Sequence, residues 1–308
     1  MSKVLYTLSS INEDAENDYE TFVNECENTY ANSLAKLTDA IINNPDNKIV
    51  MVAGPSASGK TTSAKKLADS LKSRGVDAFS ISLDDFYLDR EDAPTFENGK
   101  PNFETVYALD LPLLSKCLNE LLKDSYSELP IFDFINGCRA NEKNAILLED
   151  DDIVIVEGLH ALNPVITDNL PKESLLKVYI SIASRIFDDT HNVLLTKRNM
   201  RFLRRAVRDY QFRNSSIENT YKLWDSVQYG ENEYLFPYKH LADIMVDSFH
   251  SYEPCIFKTI ATALFQELPK ESEHYDECQD ILAILDKFVA IPTAFVPQDS
   301  LLREFIGR

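Results

Sequence analysis

Glycine is scarce in this sequence. The 308 residues include eight glycines, fewer than half of the number expected at the usual frequency of about 7%. Two of them, Gly54 and Gly59, fall in one short segment, and a third, Gly158, follows an apolar run that ends in an acidic residue. In a chain with so little glycine, we expect these three positions to need it for the conformation of the backbone.

Features of membrane and secreted proteins are also absent. No run approaches the ~18 apolar residues of a membrane-spanning helix, and the first residues lack the apolar stretch of a secretory signal. The cysteines are odd in number and form no CxxC pair, which predicts reduced thiols and a cytoplasmic location. They are Cys26, Cys117, Cys138, Cys255 and Cys278.

Positive charge is in short supply except in one segment. The chain has 31 basic and 50 acidic residues, a net charge of −19, which disfavours nucleic acids and anionic membranes as partners. Residues 197–213 are the exception, because they contain seven basic residues and a single acid, Asp209. A cationic segment on an acidic body indicates a small, highly charged anion as ligand.

The length is that of about two domains, or of one large α/β domain with additional helices. Before Pro45, apolar residues at spacings of three and four predict an amphipathic helix, which either packs on the main domain or binds a partner. Strands are predicted over 49–53, 76–83, 129–134, 153–156, 175–182 and 244–246. Helices are predicted over 60–74, 110–123, 191–213, 216–228 and much of 255–308. This alternation predicts a parallel sheet with right-handed crossovers.

The segment Gly54–Thr61 matches the phosphate-loop pattern GxxxxGK[ST] in full. It directly follows a predicted strand and opens a predicted helix, which is the context that the motif requires. Backbone N–H groups and the helix N-terminus would hold phosphate oxygens, Lys60 would reach the β- and γ-phosphates, and Thr61 would contact Mg²⁺. The sequence therefore predicts a nucleoside triphosphate site made by Gly54, Ser56, Ala57, Ser58, Gly59, Lys60, Thr61 and Thr62.

Two further strands deliver carboxylates to the same edge of the predicted sheet. Glu157 ends the apolar strand after Asp152, where it could hold Mg²⁺ directly or through water. Asp84 and Asp85 end the strand that follows the phosphate-loop helix. Transfer of a phosphoryl group to an alcohol needs a group that accepts the hydroxyl proton, and Asp84 is our candidate for this base. The alternative for each carboxylate is a turn or helix-capping role.

Arginine residues recur on one face of the helix predicted over 191–213. Arg198, Arg201, Arg205 and Arg208 are spaced by three, four and three, with Arg204 and Arg213 nearby. Guanidinium groups bind phosphate bidentately and compensate transition-state charge. Three interpretations remain open: a lid over the triphosphate, a solvated face, or a contact with nucleic acid.

The order of these motifs resembles the uridine kinase and phosphoribulokinase family of phosphate-loop kinases, in particular its uridine kinase-like nucleoside kinases. The resemblance spans about residues 48–250 and is specific, because seven motifs occur in order. They read GPSASGKTT, SLDDFYLDRE, PNFETVYALDLPLL, LPIFDFINGCR, DIVIVEGLHALNP, LRRAVRDYQFR and YLFPYKHLADI.

The resemblance implies an α/β phosphate-loop NTPase fold: a three-layer sandwich with a parallel sheet, a helical lid, and extra helices at 1–47 and 251–308 around a kinase domain at 48–250. It implies ATP and Mg²⁺ as cofactors, with Thr61 and Glu157 at the metal. The catalytic set would be Asp84, Lys60, Arg205 and Arg208. The acceptor would contact Asp84, Tyr87, Tyr107, Phe132, Phe134, Arg139, Arg205 and Arg213.

The acceptor pocket departs from that of uridine-cytidine kinases. Their His-Pro-Asp stretch, whose aspartate holds the ribose hydroxyls, reads Thr105-Val106-Tyr107 here. Their base-reading tyrosine and histidine correspond to Phe132 and Gly137, and a further arginine and glutamine correspond to Ser215 and Leu223. Loss of such groups is expected to change specificity.

The sequence as a whole predicts an ATP-dependent kinase of a nucleoside-like hydroxyl, with a possible homo-oligomeric state. Two alternatives remain: a kinase of another hydroxylated metabolite such as a sugar, sugar phosphate or glycerate, and an ATP-binding regulatory protein.

Overall fold

A five-stranded parallel sheet forms the centre of the molecule. The structure, a computed structural model, describes residues 5–307. In chain order the strands are Tyr6–Thr7 (β1), Ile49–Ala53 (β2), Ala78–Ser82 (β3), Tyr126–Asp133 (β4), Cys138–Leu147 (β5), Ile153–Glu157 (β6), Leu175–Ser181 (β7), Ile186–Phe187 (β8), Val193–Leu195 (β9) and Ile244–Asp247 (β10). The sheet order is β10-β7-β2-β6-β3, with every pair parallel.

Helices cover both faces of this sheet. They are Leu8–Ile42 (α1), Lys60–Lys72 (α2), Leu111–Asp124 (α3), Pro164–Thr167 (α4), Lys197–Arg213 (α5), Ile217–Tyr234 (α6), Glu253–Phe265 (α7), Tyr275–Leu285 (α8) and Arg303–Ile306 (α9). Alternate residues of β2 point to opposite faces: Val50 and Val52 enter the core shared with α1 and α2, whereas Ile49 and Met51 enter the core shared with α3. The predicted three-layer α/β architecture is confirmed. Among the described residues, no helix is long and apolar enough to cross a membrane.

Two of the differences from the prediction concern the surroundings of the phosphate loop and the arginine-rich helix. The strand expected over 129–134 does not join the parallel sheet, because it pairs antiparallel with β5, a strand that the sequence analysis missed. The helix expected from 191 begins instead at Lys197. The preceding residues form the short strand β9, and the Thr196 hydroxyl accepts the Asn199 N–H at 3.1 Å, which caps the helix.

The long helix α1 packs on the main domain, against α2 and β10. Five of its predicted apolar residues are at most 6% exposed: Phe22, Tyr30, Leu34, Leu37 and Ile41. Burial of such side chains is worth about 1.5–3 kcal/mol each, so their sum holds the helix firmly in place. The alternative of a free partner-binding helix is therefore wrong for this face.

Candidate active site

The loop between β2 and α2 has the backbone of an anion-binding turn. Ala57 and Gly59 adopt positive φ angles of 57° and 82°, and turns that contain such residues can direct consecutive N–H groups into one concave array. At Gly54, a Cβ atom would lie 2.0 Å from the carbonyl oxygen of Ile180. At Gly158, it would lie 2.7 Å from the Leu83 Cβ. The expectation that these three glycines serve the backbone is confirmed.

The two residues expected at the metal lie side by side. The Thr61 hydroxyl donates a hydrogen bond to Oε1 of Glu157 at 3.2 Å, and the Ser82 hydroxyl lies 3.4 Å from the same oxygen. Burial raises the pKa of Glu157, an effect that Lys60 partly offsets. Within residues 5–307, no three His, Cys, Asp or Glu residues cluster as a metal site. One carboxylate and one hydroxyl nevertheless fit Mg²⁺, which takes its other ligands from phosphate and water.

Asp84 and Asp85 point in different directions from a 3₁₀ turn, Leu83–Phe86, that follows β3. Asp84 lines a cavity of about 300 Å³ together with Lys60 and Glu157. Partial desolvation of its carboxylate raises the pKa of Asp84, although the positive charge of Lys60 acts to lower it. Asp85 instead accepts the Phe132 N–H at 3.3 Å. Of the two carboxylates, Asp84 is thus the one beside the phosphate loop.

Glu104 is a third carboxylate in this cavity, and the sequence analysis missed it. Its N–H donates to Asn102 Oδ1 at 3.2 Å, in a turn that directs the segment inward. Burial raises the pKa of Glu104 to about 7, although Arg205 nearby favours the charged form. The stretch Thr105–Tyr107, which corresponds to the His-Pro-Asp of the family, contains no carboxylate. Glu104, one position earlier, brings one to the cavity.

The arginine helix α5 divides into cavity-lining and structural residues. Arg205, Arg208 and Arg213 line the cavity, and all three lie within 3.6 Å of the Asp209 carboxylate. Arg205 also donates to the Ser56 hydroxyl at 2.8 Å. One buried carboxylate therefore aligns three guanidinium groups beside the phosphate loop.

Other arginines of α5 stabilise the loop from behind. Arg201 makes a bidentate ion pair with Glu231, at 2.6 and 2.8 Å. Glu231 in turn accepts the Ser56 N–H at 2.8 Å. Arg204 is fully buried against Glu253, at 2.6 and 2.8 Å. The interpretation of this helix as a solvated face is therefore wrong for Arg201, Arg205 and Arg208, whereas Arg198 is exposed.

The aromatic residues expected at the acceptor are only partly brought together. Tyr87 lines the cavity, and its ring lies 5.9 Å from that of Phe132, which lies 5.1 Å from that of Phe134. Phe134 and Tyr107 are each 60% exposed. Tyr87, Phe132 and Phe134 therefore form an open aromatic rim beside the cavity, whereas Tyr107 is not among the residues that line it.

Arg139 is placed apart from the cavity, contrary to its expected role as an acceptor contact. It forms an ion pair with Asp110 at 2.8 Å and lines a different cavity, between α3 and the β4–β5 hairpin. The ion pair ties the hairpin to the start of α3.

The parallel sheet, the phosphate loop and the carboxylates beside it together define a class of protein, the phosphate-loop phosphotransferases.

Comparisons with known proteins identify the family. The chain belongs to the phosphoribulokinase / uridine kinase family, whose sequence profile matches residues 49–253. It is therefore a phosphotransferase with an alcohol group as acceptor.

Two uridine kinases are similar to 64% of this chain. A uridine kinase of Lactobacillus helveticus (strain DPC 4571) is 32% identical over 199 residues, 64% of this chain and 85% of that protein. A uridine kinase of Staphylococcus haemolyticus (strain JCSC1435) is 30% identical over 64% of this chain and 86% of its own. A solved structure from Silicibacter sp. TM1040, described as a fructose transport system kinase, has a TM-score of 0.50 at 17% identity, over 69% of this chain and 98% of that one. This last likeness shows the shared fold.

Proposed function

We propose that this protein is an ATP-dependent kinase that transfers the γ-phosphoryl group to the 5′-hydroxyl of a uridine- or cytidine-like nucleoside, forming the 5′-monophosphate. The observation that carries the proposal is the shared cavity of Asp84 and Lys60. Asp84 as the proposed base and Lys60 as the proposed phosphate ligand both line it. The similarity to uridine kinases supports the choice of nucleoside.

Each residue of the cavity has a distinct task in the proposed reaction. The phosphate loop and Lys60 bind the triphosphate, and Thr61 and Glu157 hold Mg²⁺, which neutralises phosphate charge when bound. Asp84 accepts the proton of the acceptor hydroxyl as its oxygen bonds to the γ-phosphorus and the bond from that phosphorus to ADP breaks. Arg205 and Arg208 stabilise the charge of the transferred group.

Recognition of the acceptor rests on Glu104, Tyr87 and Arg213. A carboxylate such as Glu104 accepts hydrogen bonds from a pair of sugar hydroxyls, and Tyr87 with Phe132 offers an aromatic wall. Nonpolar Phe132 and Gly137 at the base-reading positions of the family favour a second candidate, a kinase of a sugar, sugar phosphate or glycerate. Membership of a family of phosphotransferases weighs against the third, an ATP-binding regulatory protein.

An acceptor screen tests the proposal. The protein, Mg²⁺ and γ-labelled ATP are incubated with uridine, cytidine, purine nucleosides, hexoses, sugar phosphates and glycerate, and labelled products are separated. We expect labelled uridine or cytidine monophosphate, and none with Lys60→Ala as the control. Label transfer only to a sugar or to glycerate would support the second candidate. Slow ATP hydrolysis that no alcohol accelerates would support the regulatory protein.

A further inference from the structure

The segment 297–307, which we call the closing segment, packs directly on the phosphate loop. Leu301 lies so close to Gly59 that a Cβ there would be 2.6 Å from its Cδ1. Phe305 lies under the Arg204 guanidinium, 5.1 Å from ring centroid to Cζ. Leu301, Leu302 and Phe305 are fully buried. The closing segment is therefore part of the wall of the site, although it lies beyond the region that matches the family.

One side chain of this segment reaches the phosphate site itself. The Thr62 hydroxyl donates a hydrogen bond to Oε2 of Glu304 at 2.5 Å, and Glu304 lines the same cavity as Lys60. Thr62 belongs to the first turn of α2, where the helix dipole and unpaired N–H groups favour an anion. A carboxylate thus bonds to the first turn of a helix whose N-terminus favours an anion.

The charge of the cavity indicates what this carboxylate does. Its lining includes four cationic side chains and five carboxylates, with Glu304 among the latter. A nucleoside triphosphate carries several negative charges, so every additional carboxylate opposes its entry. Removal of Glu304 would take away one negative charge beside the phosphate loop.

Glu304 also stands between two cavities. It lines the phosphate cavity and a neighbouring one of about 700 Å³ bordered by Thr62, Lys65 and Lys66. The linings of the two cavities share Glu304, so a triphosphate that extends from one into the other would pass its carboxylate.

The backbone of the closing segment is built to stay in place while this side chain moves. The Arg303 guanidinium donates to the carbonyl oxygens of Thr293, Val296, Pro297 and Gly307, which fixes the segment as one unit. The buried apolar side chains anchor that unit. Rotation of the Glu304 side chain, by contrast, costs one hydrogen bond.

We propose that Glu304 is an autoinhibitory contact: its carboxylate, held by the Thr62 hydroxyl at the edge of the phosphate cavity, has to swing out when the phosphate donor binds. The proposal rests on the proposed function, because it assumes a triphosphate in this cavity. It predicts that the resident carboxylate weakens donor binding rather than assisting it.

Titration calorimetry of the full chain with Mg²⁺ and a non-hydrolysable ATP analogue tests the proposal. Glu304→Gln keeps an acceptor for Thr62 but removes the charge, and Glu304→Ala removes both. We expect the analogue to bind each variant about tenfold more tightly than it binds the wild type, which corresponds to about 1.4 kcal/mol. Glu273→Gln removes the same charge at a side chain that is 83% exposed, and it should leave the affinity unchanged.

The outcomes separate the two proposals. Equal or weaker binding by the Glu304 variants, with normal binding by the wild type, would overturn the autoinhibitory role alone. If neither the wild type nor any variant bound the analogue, the proposed function would fail and this inference with it. Thermal unfolding of each variant checks that the closing segment remains docked, and a large loss of stability for Glu304→Gln would also contradict the proposal.

Discussion

The Thr61 hydroxyl lies 3.2 Å from Oε1 of Glu157, although 96 residues separate them in the sequence. The contact joins the first turn of α2 to the end of β6. Both lie at the carboxyl edge of the parallel sheet. Mg²⁺ prefers oxygen ligands in a rigid arrangement and keeps several waters. A hydroxyl and a carboxylate that already touch need little rearrangement to share one ion.

Glu157→Gln is expected to raise the Mg²⁺ concentration needed for half-maximal activity by tenfold or more, because a neutral amide is a much weaker ligand for the ion. A Mg²⁺ titration of the transfer rate at saturating ATP measures the effect. Asp151→Asn, an exposed acidic residue just before the same strand, is the matched control. An unchanged Mg²⁺ requirement in Glu157→Gln would remove this residue from the metal site.

Substitutions at Arg208 and Arg204 should separate catalysis from stability. Arg208 lines the cavity, and Asp209 keeps two other arginine partners without it. Arg208→Ala should therefore lower kcat by about 10²-fold or more with a small change in unfolding free energy. Arg204→Ala leaves Glu253 buried without its partner and should cost about 3–5 kcal/mol. Steady-state kinetics and denaturant unfolding of both variants check this, and a reversed pattern would contradict the assignment of α5.

Glu104 should make stability depend on pH. Its pKa is about 7 in the folded protein, against an ordinary value of 4.5, so the folded state retains the proton to higher pH. The free energy of unfolding should therefore fall as the pH rises from about 4.5 to about 7. Glu104→Gln removes this loss and should be more stable than wild type at pH 8 by about 1–3 kcal/mol, with little difference at pH 5.

Denaturant unfolding of wild type and Glu104→Gln at the two pH values measures the effect. Glu97→Gln, an exposed residue of the same loop region, is the control and should behave as wild type at both. The same difference between Glu104→Gln and wild type at pH 5 and pH 8 would show that Glu104 does not titrate in this range.

The parts of the structure that are encoded locally could be predicted from the sequence. The phosphate loop combines a fixed spacing with a buried strand before it and a helix after it. The apolar stripe of α1, from Phe22 to Ile41, follows helical periodicity over five turns. Asp84 and Glu157 could be placed at one edge because the carboxyl ends of parallel strands lie together.

Contacts between distant segments could not be predicted. Nothing in the spacing around Arg201 or Arg204 indicates that their partners are Glu231 and Glu253, 30 and 49 residues away. The same holds for Glu304, which reaches Thr62 across 242 residues. The strand β5 was missed because its exposed polar residues resemble those of a loop, and pairing with β4 defines it.

The transfer rate of Asp84→Asn, compared with that of Asp85→Asn, tests the central claim most directly. Both variants are assayed at saturating ATP with the best acceptor of the screen, and their affinity for ATP is measured separately. We predict that Asp84→Asn keeps ATP affinity within a few-fold and lowers transfer by about 10²–10⁴, the usual contribution of a general base, whereas Asp85→Asn loses much less. A nearly normal Asp84→Asn beside an inactive Asp85→Asn would contradict the account.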